Sequence, residues 1–291
     1  MPKPTLKGVG LLNYAILSSV GVLLASTYIV RTLLPFIVAE LGSSEIEVSR
    51  VLYVGFIVLS LVSPVAGWLS DRFGAWRLLA ISSLLIAILI PLYPLLGRVE
   101  EVIALRIMHA FMGTFCIASS LAIASWVSRR GGLGFGLLRF SQGVGIAIGP
   151  LLASYTARFG YEMAFLIAGA MALTPLISLA SGVKPQRAPA PLKAIKKAFS
   201  ILKACVTCRP LMVVAVSEVL GFTILLTYYT SYMVMKLGFK EIDYGTFLFL
   251  EAIGFSLGSY LSDYILRRNT FHSALLGSSI LLTSYYSASH C

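Results

Sequence analysis

The sequence predicts an all-α integral membrane protein, a six-helix N-terminal bundle followed by three further helices, and three observations carry that prediction. Only 12% of the 291 residues are charged and 58% are hydrophobic, with a mean hydropathy of +0.88. A soluble domain carries about 25% charged residues because its surface must face water, so most of this surface faces lipid. Apolar runs of about 20 residues, the length that crosses the hydrocarbon core, recur along the chain. Short connections join them, except for one basic stretch from Val183 to Arg209. The expected organisation is therefore an N-terminal bundle over 1–182, a linker over 183–209 and a partial second bundle over 210–291.

Nine spans follow in order: 12–38, 48–69, 77–96, 101–127, 133–156, 162–182, 210–235, 244–265 and 271–289. The first follows a basic tip, "MPKPTLKGVG", but runs too far for a cleaved signal peptide and reads as an uncleaved span. The ninth turns polar in "SSILLTSYYSASHC". In the linker, "PLKAIKKAFSILKAC" spaces Leu192, Ile195, Phe199 and Leu202 helically, with Lys193, Lys196, Lys197 and Lys203 mostly on other faces. That pattern suits an amphipathic helix at the interface, drawn to anionic lipid. Pro185, Pro189 and Pro191 suit a partly disordered tether equally well.

Lys and Arg set the orientation. With the N-terminus in the cytoplasm, the inner segments hold Lys3, Lys7, Arg72, Arg77, Arg129, Arg130, Lys184, Arg187, Lys193, Lys196, Lys197, Lys203, Arg209, Arg267 and Arg268, which is 15 of the 23. The outer segments hold Arg50, Arg98, Arg158, Lys236 and Lys240. The net charge of +11 is thus a cytoplasmic-face signal and not a nucleic-acid footprint. The odd span count places the C-terminus outside a multi-pass cell-membrane protein. Glu40, Glu45, Glu47, Glu100, Glu101, Glu162, Glu241 and Asp243 collect at the outer side.

The four cysteines are too few and scattered for a disulfide framework. Cys205-Val-Thr-Cys208 has metal-like spacing but needs two further ligands. His290 and Cys291 would lie about 30 Å away at the other end of a span. Neither a metal nor a cofactor is expected. An enzyme would need clustered Asp or His ligands at the interface, which the sequence lacks.

"GWLSDRFGAWR", Gly67 to Arg77, places an aspartate and two arginines between apolar runs, and "SYLSDYILRR", Ser259 to Arg268, echoes it. Asp71 and Asp263 are 192 positions apart (263 minus 71), at corresponding places in two sets of helices that share one orientation, as in parallel repeats. Gly67 would admit close backbone approach, and Gly74 a tight turn. Asp71 would accept from helix N-terminal amides, while Arg72 and Arg77 would pair with acids or lipid phosphate. The loop then acts as a conformational latch. A plain positive-inside turn would explain the arginines, but not Asp71 or Asp263.

The loop resembles the signature of the major facilitator superfamily, G-x-L-x-D-R-x-G followed by basic residues; in the second copy Ser259 replaces the first glycine and the second glycine is missing. "GIAIGP", with Gly145, Gly149 and Pro150, resembles the G-x-x-x-G-P helix-packing motif on the fifth helix of that superfamily's proton-coupled exporters. The glycine pair that usually follows is absent, with Ala153 nearby. Arg106 lies where the family has an arginine on its fourth helix, and "RIMHAFMG" has His109 and Ala110 where Gln and Gly are usual. The resemblance covers the whole chain. It implies secondary transport by alternating access and a twelve-helix fold whose second half stops here after its third helix. The chain is then a fragment or frameshifted product, or the missing helices come as a separate partner chain.

An ionised side chain at a helix centre costs about 2.5–3.5 kcal/mol on insertion scales and is a functional hypothesis by default. Arg31, Arg106 and Arg139 fall inside the first six spans, Glu218 and Glu251 inside the later ones. Neither set can neutralise itself, so the charges must meet across the interface or meet a substrate there. At about 1.5 Å per residue, Arg139 and Glu218 share a depth near the inner face, and Arg106 and Glu251 share one near the outer face, with Arg31 also in the outer half. Two alternating gates would follow, unless Arg31 and Arg139 snorkel to the interface. Gln142 could bond a substrate or serve helix packing. His109 could relay protons or make a helix contact. Tyr28, Tyr228 and Tyr229 could line a cavity or belong to an aromatic belt.

The expected function is movement of a small solute driven by an ion gradient. Carboxylates make the proton the leading coupling ion, and "GIAIGP" favours export. The alternatives are uptake of an organic anion, motivated by the three arginines, and a non-transporting fragment. The orientation is testable by labelling. With Cys205 masked, a membrane-impermeant thiol reagent should reach Cys208 from the inner face and Cys291 from the outer; the reverse pattern overturns the orientation.

Overall fold

The computed structural model describes residues 11–129, 133–180 and 227–266. The elements are α1 (Leu11–Glu40), α2 (Glu45–Phe73), α3 (Ala75–Leu89) continued by a 3₁₀ segment (Ile90–Leu95), α4 (Val99–Arg129), α5 (Gly134–Ala157), α6 (Tyr161–Ala172), α7 (Thr174–Ala180), α8 (227–235) and α9 (Glu241–Leu266). Six stretches among the described residues are helical, long and apolar enough to cross a membrane: Tyr14–Glu40, Glu45–Phe73, Ala75–Leu95, Val99–Arg129, Gly134–Phe159 and Tyr161–Ser178. The linker, Cys205, Cys208, Glu218, Arg267, Arg268 and the span expected at 271–289 lie outside the described residues, as does the first part of the span expected at 210–235.

Local chemistry sets the helix starts. Ser44 and Glu47 form a capping box: the Glu47 amide donates to Ser44 Oγ at 3.4 Å and the Ser44 amide to Glu47 Oε2 at 2.7 Å. Glu100 and Glu101 open α4, Glu162 opens α6, and Glu241 and Asp243 open α9. Carboxylates there meet the positive end of the helix dipole. Between α2 and α3 the chain reverses at Gly74, whose φ of 94° is open to glycine and strained for other residues.

Two expected spans are interrupted, both by proline. The third loses α-helical winding at Ile90–Leu95, which contains Pro91 and Pro94. The sixth is broken at Leu173, immediately before Thr174-Pro175, into α6 and α7. Proline has no amide proton, and its ring excludes the carbonyl four residues back.

Packing is centred on α1. Its Ile16, Leu17, Ile29, Val30, Leu33 and Leu34 are fully buried, against α5, α6 and α7. By contrast α2, α3 and α4 carry Ile57, Leu61, Ile81, Ile88 and Met108 on exposed faces, the apolar outer surface that lipid requires. The α1–α5 contact is made by backbones. A β-carbon on Gly145 would run into the Gly21 carbonyl and the Ala25 amide, and one on Gly149 would meet the Ala25 carbonyl and Tyr28 Cβ. Small residues at this spacing let helices approach where no hydrophobic force draws them together. Ser141 Oγ also donates across to the Leu17 carbonyl at 2.9 Å. At Gly67 the described residues give no close approach: a β-carbon there would meet none of them within 4 Å.

Gly145→Leu should therefore sharply reduce the yield of monodisperse protein in size-exclusion chromatography, since overpacking costs about 1–3 kcal/mol or more where backbone must move. Gly67→Ala should leave that yield near normal.

Candidate functional site

Four helices bring side chains to one level of the bundle. Arg31 on α1 is half-buried, donates from Nη1 to the Tyr28 hydroxyl at 3.2 Å, and has its guanidinium carbon 5.2 Å from the Tyr28 ring centre and 5.9 Å from that of Phe56 on α2. These are cation–π distances. From α9, Glu251 and Tyr244 face the same guanidinium, close enough for charge interaction but without a hydrogen bond or ion-pair contact. Tyr244 is anchored by Thr230 of α8 at 2.8 Å and by the Phe36 ring at 6.0 Å.

Arg106, on α4, lies within the N-terminal unit. It is buried, and among the described residues its Nε has no hydrogen-bond partner and it makes no ion pair. Its electrostatic neighbours are Tyr93 and His109. His109 is buried with Nδ1 3.2 Å from the Tyr93 hydroxyl, while its Nε2 has no hydrogen-bond partner among the described residues. The shared depth of Arg106 and Glu251 thus does not make them a pair in this conformation. The cation facing Glu251 is Arg31.

The other candidates fall elsewhere. Arg139 is exposed near the opposite end of the bundle, where its Nη1 donates to Gln142 Oε1 at 3.3 Å. Asp71, Arg72 and Arg77 are exposed. Asp71 makes none of the expected hydrogen bonds to helix amides among the described residues, and Arg72 packs 5.2 Å from the Trp68 ring centre and 5.8 Å from that of Phe73. Asp263 lies near the end of α9. Of the tyrosines, Tyr228 is exposed and Tyr229 packs on Phe247 at 6.1 Å.

Beyond this layer, at the Glu40–Glu45 end, the N-terminal unit is tied to α8 and α9. Ser49 and Ser231 share a hydrogen bond of 2.7 Å, Lys236 Nζ lies 3.3 Å from Glu45 Oε1, and Ser154 Oγ donates to the Glu241 carbonyl at 2.7 Å. The Tyr161 hydroxyl donates to Glu241 Oε1 at 2.5 Å. Gly245 permits this closure, because a β-carbon there would run into Ser154 and the Pro150 carbonyl. Sequence reasoning missed these ties, together with Phe56 and Tyr244. The acids that open the helices were visible, but their partners required the fold.

The family model described as "Major Facilitator Superfamily" matches residues 16–291. The chain belongs to the major facilitator superfamily. It is 27% identical over 190 residues to Multidrug resistance protein MdtG of Serratia proteamaculans (strain 568), covering 62% of this chain and 46% of that protein. It is 28% identical over 156 residues to Multidrug resistance protein B homolog of Mycobacterium tuberculosis (strain CDC 1551 / Oshkosh), covering 53% and 29%. The chain spans about half or less of the length of these curated relatives. A bacterial homolog of the human lysosomal transporter Spinster, solved in an inward-facing and unoccupied conformation, matches with a TM-score of 0.70 at 17% identity, over 88% of this chain and 63% of that one. The protein is thus a multi-pass membrane protein of a transporter family, with that family's fold.

A double-mutant cycle of Arg31→Gln and Glu251→Gln in thermal unfolding should show a coupling of about 0.5–3 kcal/mol. The cycle of Arg106→Gln with Glu251→Gln should be additive. The opposite result restores Arg106 as the partner of Glu251.

Proposed function

We propose that the chain acts in proton-coupled transport of a small organic solute across the cell membrane by alternating access, with its N-terminus in the cytoplasm. The observation that carries this reading is Glu251 within electrostatic range of Arg31, an acid from the later helices and a base from the first six. An ionisable group inside a membrane protein marks an ion or substrate path by default. In the transport cycle Glu251 binds the proton, and Arg31 holds its ionised form until the two sets of helices separate. The ties among Glu45, Ser49, Ser154, Tyr161, Ser231, Lys236 and Glu241 then close the outer side. The Gly67–Arg77 loop works at the inner side, where Asp71 engages in the opposite state.

Export is supported by the names of the relatives, which are multidrug resistance proteins, and by the Gly145–Pro150 motif. A second reading, uptake of an organic anion, is supported by a different observation: among the described residues of this half of the bundle, two intramembrane guanidiniums, Arg31 and Arg106, stand against one intramembrane carboxylate, Glu251. The extra helices that the longer relatives carry would come from a separate chain or from a longer form of this one. The domain division proposed is 1–182, 183–209 and 210–291.

The test uses purified protein in vesicles of mixed zwitterionic and anionic lipid, with ethidium as the cationic probe and carboxyfluorescein as the anionic one. Ethidium movement driven by a pH gradient should fall about tenfold or more in Glu251→Gln, as for loss of a proton-transfer group, while ethidium counterflow persists. Loss of both together assigns Glu251 to folding or binding. Saturable carboxyfluorescein counterflow lost in Arg31→Gln would favour the anion reading. Silence with both probes would favour the fragment.

A further inference from the structure

Arg106 is a buried guanidinium with an unpartnered Nε, and its place in the bundle depends on what α2 presents to it. The residue presented is Gly55. A β-carbon at 55 would stand 3.0 Å from both Nε and Nη2 of Arg106 and 3.2 Å from its Cζ. Contacts of 3.0–3.4 Å are tighter than nearly all β-carbon contacts make, so Arg106 would have to move. Gly55 lies within α2 without a positive φ, so its backbone conformation is open to any residue and glycine is here for space. Glycine is a poor choice inside a helix, and Gly67 on the same helix has no such neighbour among the described residues. The next residue, Phe56, lies over Arg31. Adjacent residues of α2 therefore face the two guanidiniums, Gly55 that of Arg106 and Phe56 that of Arg31.

We infer that Gly55 is a positioning residue: it leaves the space in which the Arg106 guanidinium lies against α2, and so fixes where that buried charge acts on Tyr93 and His109. Its effect on transport rests on the proposed function of the bundle. The atoms that a β-carbon would crowd are the far end of a flexible side chain, not backbone, so Gly55→Ala displaces the guanidinium without dismantling the helix pair. Arg106→Lys keeps the charge but replaces the rigid planar guanidinium, Nη2 included, by an unbranched end that can turn away from α2.

The experiment is a cycle of four proteins, wild type, Gly55→Ala, Arg106→Lys and the double variant, as full chains in the same vesicles. Ethidium movement is measured across a range of pH, and thermal unfolding is followed in detergent. The expected result is that Gly55→Ala and Arg106→Lys each shift the pH profile and slow transport by about threefold or more, and that the double variant matches Arg106→Lys alone. Unfolding should show the same non-additivity, since the steric conflict is with the rigid guanidinium and an unbranched lysine end can relieve it. Additive effects on both readouts overturn the inference and leave Gly55 as an ordinary packing glycine. A pH profile unmoved by either substitution, with non-additive unfolding, keeps the contact but removes Arg106 from the transport site, which overturns the positioning role. If wild type moves no ethidium, the unfolding cycle still decides the contact, and additivity there overturns the inference. If Gly55→Ala fails to accumulate, Gly55→Ala in the Arg106→Lys background decides it: recovery of folded protein supports the inference, and continued loss sinks it.

Discussion

The contact between α1 and α5 governs the geometry of everything above it. In lipid, helices gain little from burying apolar surface against one another, because the solvent is as apolar as the side chains. What remains is close packing, and Gly21, Ala25, Gly145 and Gly149 supply it by bringing two backbones together. Tyr28 begins the next turn of α1, its Cβ against the site of Gly149. Its hydroxyl then takes the hydrogen bond that orients Arg31. A glycine pair on the fifth helix thus sets the position of a charge on the first.

The acids at the Glu40–Glu45 end serve two purposes at once. As residues of first helical turns, Glu45, Glu47 and Glu241 sit where exposed amides favour negative charge. Glu45 also faces Lys236, and Glu241 receives the Tyr161 hydroxyl. The Lys236–Glu45 pair is largely exposed and contributes about 0–1 kcal/mol, so it steers register more than it adds strength. Ser49–Ser231, Ser154–Glu241 and the glycine seat at 245 are short neutral or backbone contacts that an exchange between conformations can break cheaply. A closure made of such contacts is suited to opening.

Much of the fold was legible in the sequence because lipid imposes a single strong rule, helices of sufficient apolar length with every backbone group satisfied internally. The six spans of the first unit emerge within a few residues of where hydropathy puts them. The errors come at Pro91, Pro94 and Pro175, where apolar composition continues but helical bonding does not. The site was legible as a set of charges and illegible as a set of contacts. Counting residues gives depth along the membrane normal, and so the expectation of Arg31, Arg106 and Glu251 at similar depths. It says nothing about rotation around the helix, and rotation separates Arg106, turned toward α2 and Tyr93, from Arg31, turned toward α9. Gly67 shows the same limit: its type marked it for close approach, but none of the described residues stands within reach.

The division of charge between the two sets of helices follows a physical logic that the rotation makes sharper. An ion pair built within one bundle would be satisfied in every conformation and would bias none of them. Under the alternating access proposed above, Arg31 on α1 and Glu251 on α9 belong to parts that would move relative to one another, so their interaction free energy would differ between states. Only such a difference can shift a conformational equilibrium. A proton on Glu251 removes the carboxylate charge and with it much of that difference, leaving Arg31 to the Tyr28 hydroxyl and the flanking rings. Arg106 lies within the first unit, and its interactions with Tyr93 and His109 travel with that unit. In the proposed cycle it would be a fixed source of positive potential, while the charge pair across the interface would carry the dependence on state.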